Sequence, residues 1–361
     1  SSAASDVYKR QLLGAQFLFV AFGALVLMPI LCGLDISVAL FTAGLGTLIF
    51  QLICRQKVVP IFLASSFAFI APISFAVSKW GLPVAMGGVF FAGLVYSAFS
   101  FFVKIKGKSF IDKFLPPIVV GPVIMTIGLV LSPSAVSMAM ASGDMLKNYQ
   151  ILNPNFSQND AMIIAGISLL VTLLCIMFAK GMLKLIPILC GIAAGYIISY
   201  FYGIIDFSPV KEAPWFRVPN FTAPKFELDA ILYMIPVVIA PIIEHIGNVV
   251  AISNVTNYDF TKKPGLHKTL LGDGIATSIA ALLAGPPCTT YAEVTGAVRL
   301  TKAFNPAIMT WSAFTAILLA FVGKLGALIA TIPACVLGGI MILLFGIIAS
   351  VGMELSLIHI S

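Results

Sequence analysis

The sequence predicts an all-α, polytopic membrane protein made of two inverted seven-span repeats. Three observations predict it. Of 361 residues, 60% are hydrophobic and only 10% charged, with mean hydropathy +1.07, whereas a soluble globular domain carries about 25% charged residues. The basic residues alternate in density from loop to loop. Two broken segments recur at a fixed offset.

A spanning helix needs about 20 mostly apolar residues, and twelve candidates follow in order. Spans one and two are Leu12–Leu31 and Ile36–Ile53, span three is a broken Val59–Val77, and spans four and five are Pro83–Val103 and Leu115–Leu131. A polar loop, Ser132–Asn159, leads to spans six and seven, Ala161–Phe178 and Leu183–Ile204, and a Pro-rich loop runs to Glu227. Spans eight and nine are Ala230–Asn254 and Leu266–Ala284. Span ten is the broken stretch Gly285–Lys302, and spans eleven and twelve are Ala307–Ile329 and Ala334–Met353.

With the N-terminus inside, the inner loops hold Arg55, Lys57, Lys104, Lys106, Lys108, Lys113, Lys180, Lys184, Lys262, Lys263, Lys268, Arg299 and Lys302. The outer side holds Lys79, Lys147, Lys211, Arg217, Lys225 and Lys324. That bias follows the positive-inside rule, so the net charge of +7 is a topology signal and not a nucleic-acid one. The six cysteines, Cys32, Cys54, Cys175, Cys190, Cys288 and Cys335, lack metal-ligand spacing and read as small core residues.

Leu115-Pro116, Gly121 and Ile124-Met125 are echoed by Ile332-Pro333, Gly338 and Ile340-Met341, and Leu63–Pro72 is echoed by span ten. Both echoes are seven spans apart. An odd offset inverts the orientation, so a fourteen-span protein is expected, with twelve spans here. Ser1–Gln11 and Leu355–Ser361 resemble translated adaptor sequence and are read as foreign ends, so truncation at the C-terminal end is expected.

Paired broken segments are the sequence pointer to a transporter's binding site. Span ten carries Thr289, Thr290, Tyr291, Glu293 and Thr295 among two prolines and two glycines. Span three carries Ser65, Ser66 and Phe67, where extended backbone leaves N–H groups for a ligand carbonyl and Phe67 offers a ring face. Glu244 lies mid-span, where a carboxylate costs at least ~2.5 kcal/mol and needs a partner, a water-filled cavity or a proton. His245 points about 100° away from it, toward packing or an interhelical bond. Asn248, four residues on, shares its face but cannot titrate. Asp273 either joins this polar network or reaches the membrane interface, His267 is solvated in the inner loop, and Tyr291 either hydrogen-bonds or packs. Two carboxylates, free amides and an aromatic face suit a planar molecule with N–H donors and carbonyls, and not an anion. No nucleophile–base spacing, phosphate loop or metal cluster marks an enzyme.

These residues resemble the nucleobase–ascorbate transporter family, also called nucleobase:cation symporter-2, and within it the bacterial uracil:proton symporter branch. The resemblance runs from Leu13 to Met353 through Phe22–Pro29, Ser65–Ile70, Glu244–Asn248, Lys263–His267 and Thr289–Lys302, with Glu293, Gly296, Thr301 and Lys302 on the family signature. It implies short β-strands in spans three and ten. It implies a core domain of residues 12–108 and 229–331 and a gate domain of residues 109–228 and 332–354. It also implies that Glu244 and Glu293 accept nucleobase N–H groups, and that backbone amides at Phe67 and Ala292 bind its carbonyls. Ser66, Tyr291 and Ala24 complete the implied substrate-binding set, with Glu244, Asn248, His245 and Asp273 as proton-coupling candidates. The implied activity is uracil import by proton symport through an elevator movement, with no cofactor other than the coupling proton and no metal. It would take place in the inner membrane with a cytoplasmic N-terminus, in a homodimer joined through the gate. A xanthine or purine permease, an uncoupled facilitator and a sulfate-permease-type anion transporter are the alternatives. The sequence departs from the pattern at Val294 (usually Asn), Ala292 (often Gly), Phe17 (often His after Gln16) and Asn248 (usually His or an acid). The last leaves Glu244 as the leading titratable group, assisted by Glu293 or Asp273.

Overall fold

The structure, a computed structural model, describes residues 2–107 and 117–357. The protein forms two compact units, Ser1–Leu115 with Trp215–Gly323 and Pro116–Pro214 with Lys324–Ser361. Residues 215–228, expected with the gate segment, fall in the first unit. Residues 324–331, expected with the core segment, fall in the second.

The first unit opens with α1 (Ser2–Cys32), α2 (Ile36–Ile53), β1 (Leu63–Ser65), a 3₁₀ turn (Phe67–Phe69), α3 (Ile70–Trp80) and α4 (Leu82–Lys106). Asp35 starts α2 by accepting the N–H groups of Ser37 and Val38. The second unit opens with α5 (Pro117–Ala139), α6 (Asp144–Leu152), α7 (Gln158–Phe178), α8 (Pro187–Phe201) and α9 (Ser208–Glu212). A reciprocal capping box, Ser157 with Asp160, begins α7. The first unit resumes with α10 (Leu228–Met234), α11 (Ile239–Thr256), α12 (Leu266–Leu282), β2 (Cys288–Thr290), α13 (Ala292–Thr301) and α14 (Ala307–Ala320). After α15 (Gly323–Ala330), α16 (Ala334–Leu357) ends the second unit.

Six helical stretches among the described residues are apolar and long enough to cross a membrane: 10–32, 36–53, 82–106, 121–152, 158–178 and 228–256. A pair bent by 79°, Gly323–Ala330 with Ala334–Ser350, would make a seventh. Other predicted spans are shorter or broken. Two expectations are corrected. The predicted loop Ser132–Asn159 is largely helical, since α5 runs on to Ala139 and α6 follows. Span eleven is not continuous, because residues 321–323 turn their backbone to residues 215–217: Arg217 N–H donates to Phe321 O at 2.9 Å, and Gly323 N–H to Trp215 O at 3.1 Å. Leu115 and Pro116 of the sequence repeat lie outside the described residues, while Gly121 and Ile124-Met125 lie in α5.

Small residues let the helices close on one another. A Cβ on Gly93 of α4 would meet the Ser278 nitrogen at 2.7 Å and the Gly274 oxygen at 2.8 Å, both backbone atoms of α12. In the second unit, Gly191 and Gly195 of α8 sit against Thr172 and Ser168 of α7, and Gly128 of α5 against Phe345 and Ala349 of α16. Gly93→Val is therefore expected to destabilise the protein by about 1–3 kcal/mol, read as a lower melting temperature in detergent. Gly166→Ala, where a Cβ meets nothing within 4 Å, should leave the melting temperature unchanged or slightly raised.

Candidate functional site

Two of the broken segments meet. Strands β1 and β2 pair antiparallel, with Leu63 opposite Thr290, Ala64 opposite Thr289 and Ser65 opposite Cys288, and all six residues are buried. Ser66 N–H extends the ladder to the carbonyl of Pro287 at 2.9 Å. A ribbon of two strands leaves an outer edge on each, and backbone polar groups buried away from water must find partners. Side chains of neighbouring helices supply them. Thr47 Oγ1 of α2 accepts the N–H of Leu63 at 2.9 Å and lies 3.4 Å from its carbonyl oxygen. Thr277 Oγ1 of α12 accepts the N–H of Cys288 at 3.1 Å and donates to its carbonyl at 3.3 Å. Leu63 and Cys288 each begin their strand. At the strand ends, Tyr291 O–H donates to Ser65 O at 2.6 Å, and Asn248 Nδ2 donates to Thr290 O at 2.7 Å and to its Oγ1 at 3.0 Å.

Each strand then runs into a helical turn within two residues. Neither Ser66 nor Tyr291 at those junctions provides a side-chain cap for the helix, and the first N–H groups of a helix have no acceptor inside it. Backbone donors at Phe67 and Ala292 therefore lie at the ends of the ribbon. The Phe67 ring is half-buried, 6.3 Å from the Tyr291 ring at a 37° tilt. The fully buried hydroxyls of Ser66 and Thr289, and the buried hydroxyl of Thr295, make no hydrogen bond among the described residues. Ala24 lies in α1, and Ala292 and Glu293 are the first two residues of α13. Their side chains lie outside what the structure describes.

Helix α11 has two chemically distinct sides. Glu244 is exposed, whereas the adjacent His245 is completely buried. His245 Nδ1 lies 2.8 Å from Asp273 Oδ2 of α12, and Tyr96 O–H of α4 donates to the same oxygen at 2.9 Å. Of packing and an interhelical bond, His245 thus makes the bond, and Asp273 joins the buried network rather than the interface. Asn248 is also buried, its amide turned to β2. His267 is half-buried instead of solvated, and its carbonyl accepts the Ser100 hydroxyl. Cys32, Cys54, Cys288 and Cys335 are buried, while Cys175 and Cys190 are half-buried. No cluster of three metal-ligating side chains occurs among the described residues.

The model of the family described as Permease family (Xan_ur_permease) matches residues 9–357. The chain belongs to that family. The permease is 57% identical over 346 residues to a protein of Haemophilus influenzae named probable uracil permease, covering 96% of this chain and 81% of that one. It is 46% identical over 349 residues to the uracil permease of Bacillus caldolyticus, covering 95% and 78%. With the uracil permease of Escherichia coli K12 it shares 36% over 345 residues, covering 95% and 77%. Among solved structures, the transmembrane domain of a cyanobacterial bicarbonate transporter, BicA, superposes with TM-score 0.71 at 17% identity, covering 97% of this chain and 96% of that one. The murine anion transporter Slc26a9 gives 0.68 at 13%, covering 92% and 59%. The permease therefore has that transporter fold. It is a multi-pass membrane protein and a transporter, not an enzyme.

Thr47, Thr277 and Tyr96 escaped the sequence reading. A threonine in an apolar helix ordinarily bonds its own backbone, as Thr47 does to Ala43 O at 2.8 Å, so nothing local marks its second role. Thr277→Val in the permease should destabilise it by about 1–3 kcal/mol by orphaning buried backbone groups, with Thr277→Ser close to wild type, both read by thermal unfolding in detergent. Asp273→Ala should be more damaging, about 3–5 kcal/mol, because removing one partner strands the other in a dry interior. Tyr96→Phe, which leaves the histidine in place, should cost less in the same assay.

Proposed function

We propose that this permease imports a nucleobase, uracil first, by proton symport. The observation that carries the reading is the buried antiparallel ribbon whose two ends open onto uncapped helical turns. Backbone N–H groups at Phe67 and Ala292 suit two carbonyls of a planar ring, and the Phe67 and Tyr291 rings suit its face. Ser66 and Tyr291 line the same junctions. Glu244, and Glu293 at the start of α13, would accept the ring N–H groups, while Ala24 on α1 contributes its backbone position. The names of the curated relatives support a pyrimidine over a purine such as xanthine. A carboxylate held exposed on α11 opposes an anionic substrate, although the fold is shared with bicarbonate and other anion transporters.

Coupling in this reading rests on Glu244, with His245 and Asp273 as the buried titratable pair behind it; the proton is the only cofactor. The first unit serves as the core that carries the ribbon in an elevator-type movement and the second as the gate, through which two copies associate. The cytoplasmic N-terminus and the inverted seven-span repeat belong to the same proposal. The matched bonds of Thr47 to the first residue of β1 and of Thr277 to the first residue of β2 support the repeat. An uncoupled facilitator is the second reading, favoured by the untitratable Asn248 at the coupling position.

Purified protein should bind radiolabelled uracil, with competition by unlabelled uracil and none by sulfate or bicarbonate. Glu244→Gln should weaken binding about tenfold or more while the protein still inserts. In cells, uptake should collapse with a protonophore. Bicarbonate competition would sink the nucleobase reading, and protonophore-insensitive uptake would replace symport with the facilitator.

A further inference from the structure

We propose that Asn248 is a positioning residue: its side-chain amide fixes the end of β2 that leads into α13, and so sets where the Ala292 N–H points. The inference rests on the nucleobase reading above and assigns a role to a side chain that reading leaves idle. Asn248 is 8% exposed, and its Nδ2 donates to both oxygens of Thr290. Thr290 is the last residue of β2. A single extended residue, Tyr291 (φ −106°, ψ 129°), separates it from α13. Any shift of Thr290 is therefore passed to the first N–H groups of α13 with no intervening loop to absorb it. The β1 partner of Thr290 is Leu63, whose own outer edge is held by Thr47. Asn248 thus completes on β2 the anchoring that Tyr291 provides at the end of β1, where it bonds Ser65.

An amide does this at any pH, since it carries a donor that does not titrate. A carboxyl group at the same place could donate to the Thr290 carbonyl only when protonated. That difference supplies a test which a merely space-filling role would not pass. The other titratable groups on the helix are Glu244 and His245. On the elements packed against it they are His267, Lys268 and Asp273 of α12, Cys288 of β2, Glu293 and Arg299 of α13, and Lys262 and Lys263 of the turn Thr261–Gly265 that follows α11. All are shared by the variants compared, so they cancel in a ratio to wild type.

The experiment measures uracil binding to purified wild type, Asn248→Ala and Asn248→Asp at about pH 5 and about pH 8. Asn248→Ala is expected to bind about tenfold more weakly than wild type at both pH values. Asn248→Asp should match Asn248→Ala at the higher pH and recover toward wild type at the lower. Wild-type affinity in Asn248→Ala, or an Asn248→Asp variant that shows no acid recovery relative to wild type, overturns the proposal. A second measurement needs no ligand. Cys288 is 2% exposed and two residues before Thr290. In a variant with Cys288 as its sole cysteine, Asn248→Ala should raise the rate of maleimide labelling about tenfold, and an unchanged rate overturns the proposal. If wild type binds no nucleobase, the nucleobase reading fails, and the labelling rate alone decides whether Asn248 holds the strand.

Discussion

The hydrogen bonding of two three-residue strands is the constraint on which the first unit depends. A ribbon this short has as many outward-facing backbone groups as inward-facing ones. In apolar surroundings each group left without a partner costs on the order of 2–7 kcal/mol. Irregular backbone is tolerated at membrane depth only where protein or a cavity satisfies it. Four side chains from three helices and a strand junction do so here: Thr47, Thr277, Asn248 and Tyr291. The first three tie the ribbon to three helices and Tyr291 ties one strand end to the other, so α2, α11 and α12 cannot slide along their axes without breaking a bond to β1 or β2. The turns that follow the strands receive no side-chain cap from Ser66 or Tyr291, and the first N–H groups of a helix have no acceptor inside it.

Much of the fold was legible in the sequence because apolar runs and breakers act locally. Span two matches α2 at both ends, Ile36 and Ile53, since Asp35 caps one end and the polar run from Arg55 closes the other. The broken character of spans three and ten followed from prolines and hydroxyl residues whose effects do not require tertiary context. The misses have a tertiary origin. Ser132, Ser134 and Ser137 looked like a loop, yet Ser132 bonds back to Leu129 O at 2.8 Å and the helix continues to Ala139. The break inside span eleven depends on residues 215–217, more than a hundred positions away, bonding to the backbone at 321–323. No window centred on Ala320 contains that information.

The site divided in the same way. Charge in an apolar span is conspicuous, so Glu244, His245 and Asp273 stood out, broken backbone pointed to Phe67 and Tyr291, and the family resemblance added Ala292. What could not be read was which groups face each other. Asn248 looked like a companion of Glu244 on one helix face, and nothing in the local sequence shows that its amide meets the end of β2. Tyr96 was one aromatic among many until Asp273 lay 2.9 Å from its hydroxyl.

The pairing of His245 with Asp273 explains the rotation of α11. A buried ionisable pair gains little net stability, because desolvation consumes most of the attraction, so stability alone is a poor reason for it. Its geometric effect is stronger. With His245 bonded to α12 at one position and Asn248 bonded to β2 three positions later, about 60° around the axis, α11 is held at two points one turn apart. The residue before His245 is then turned about 100° from it, with Asn248 lying between the two around the axis. That residue is Glu244, and it is exposed. The buried polar groups and the exposed carboxylate are therefore two consequences of one helix orientation, and loosening the buried bonds would release the constraint on where Glu244 points.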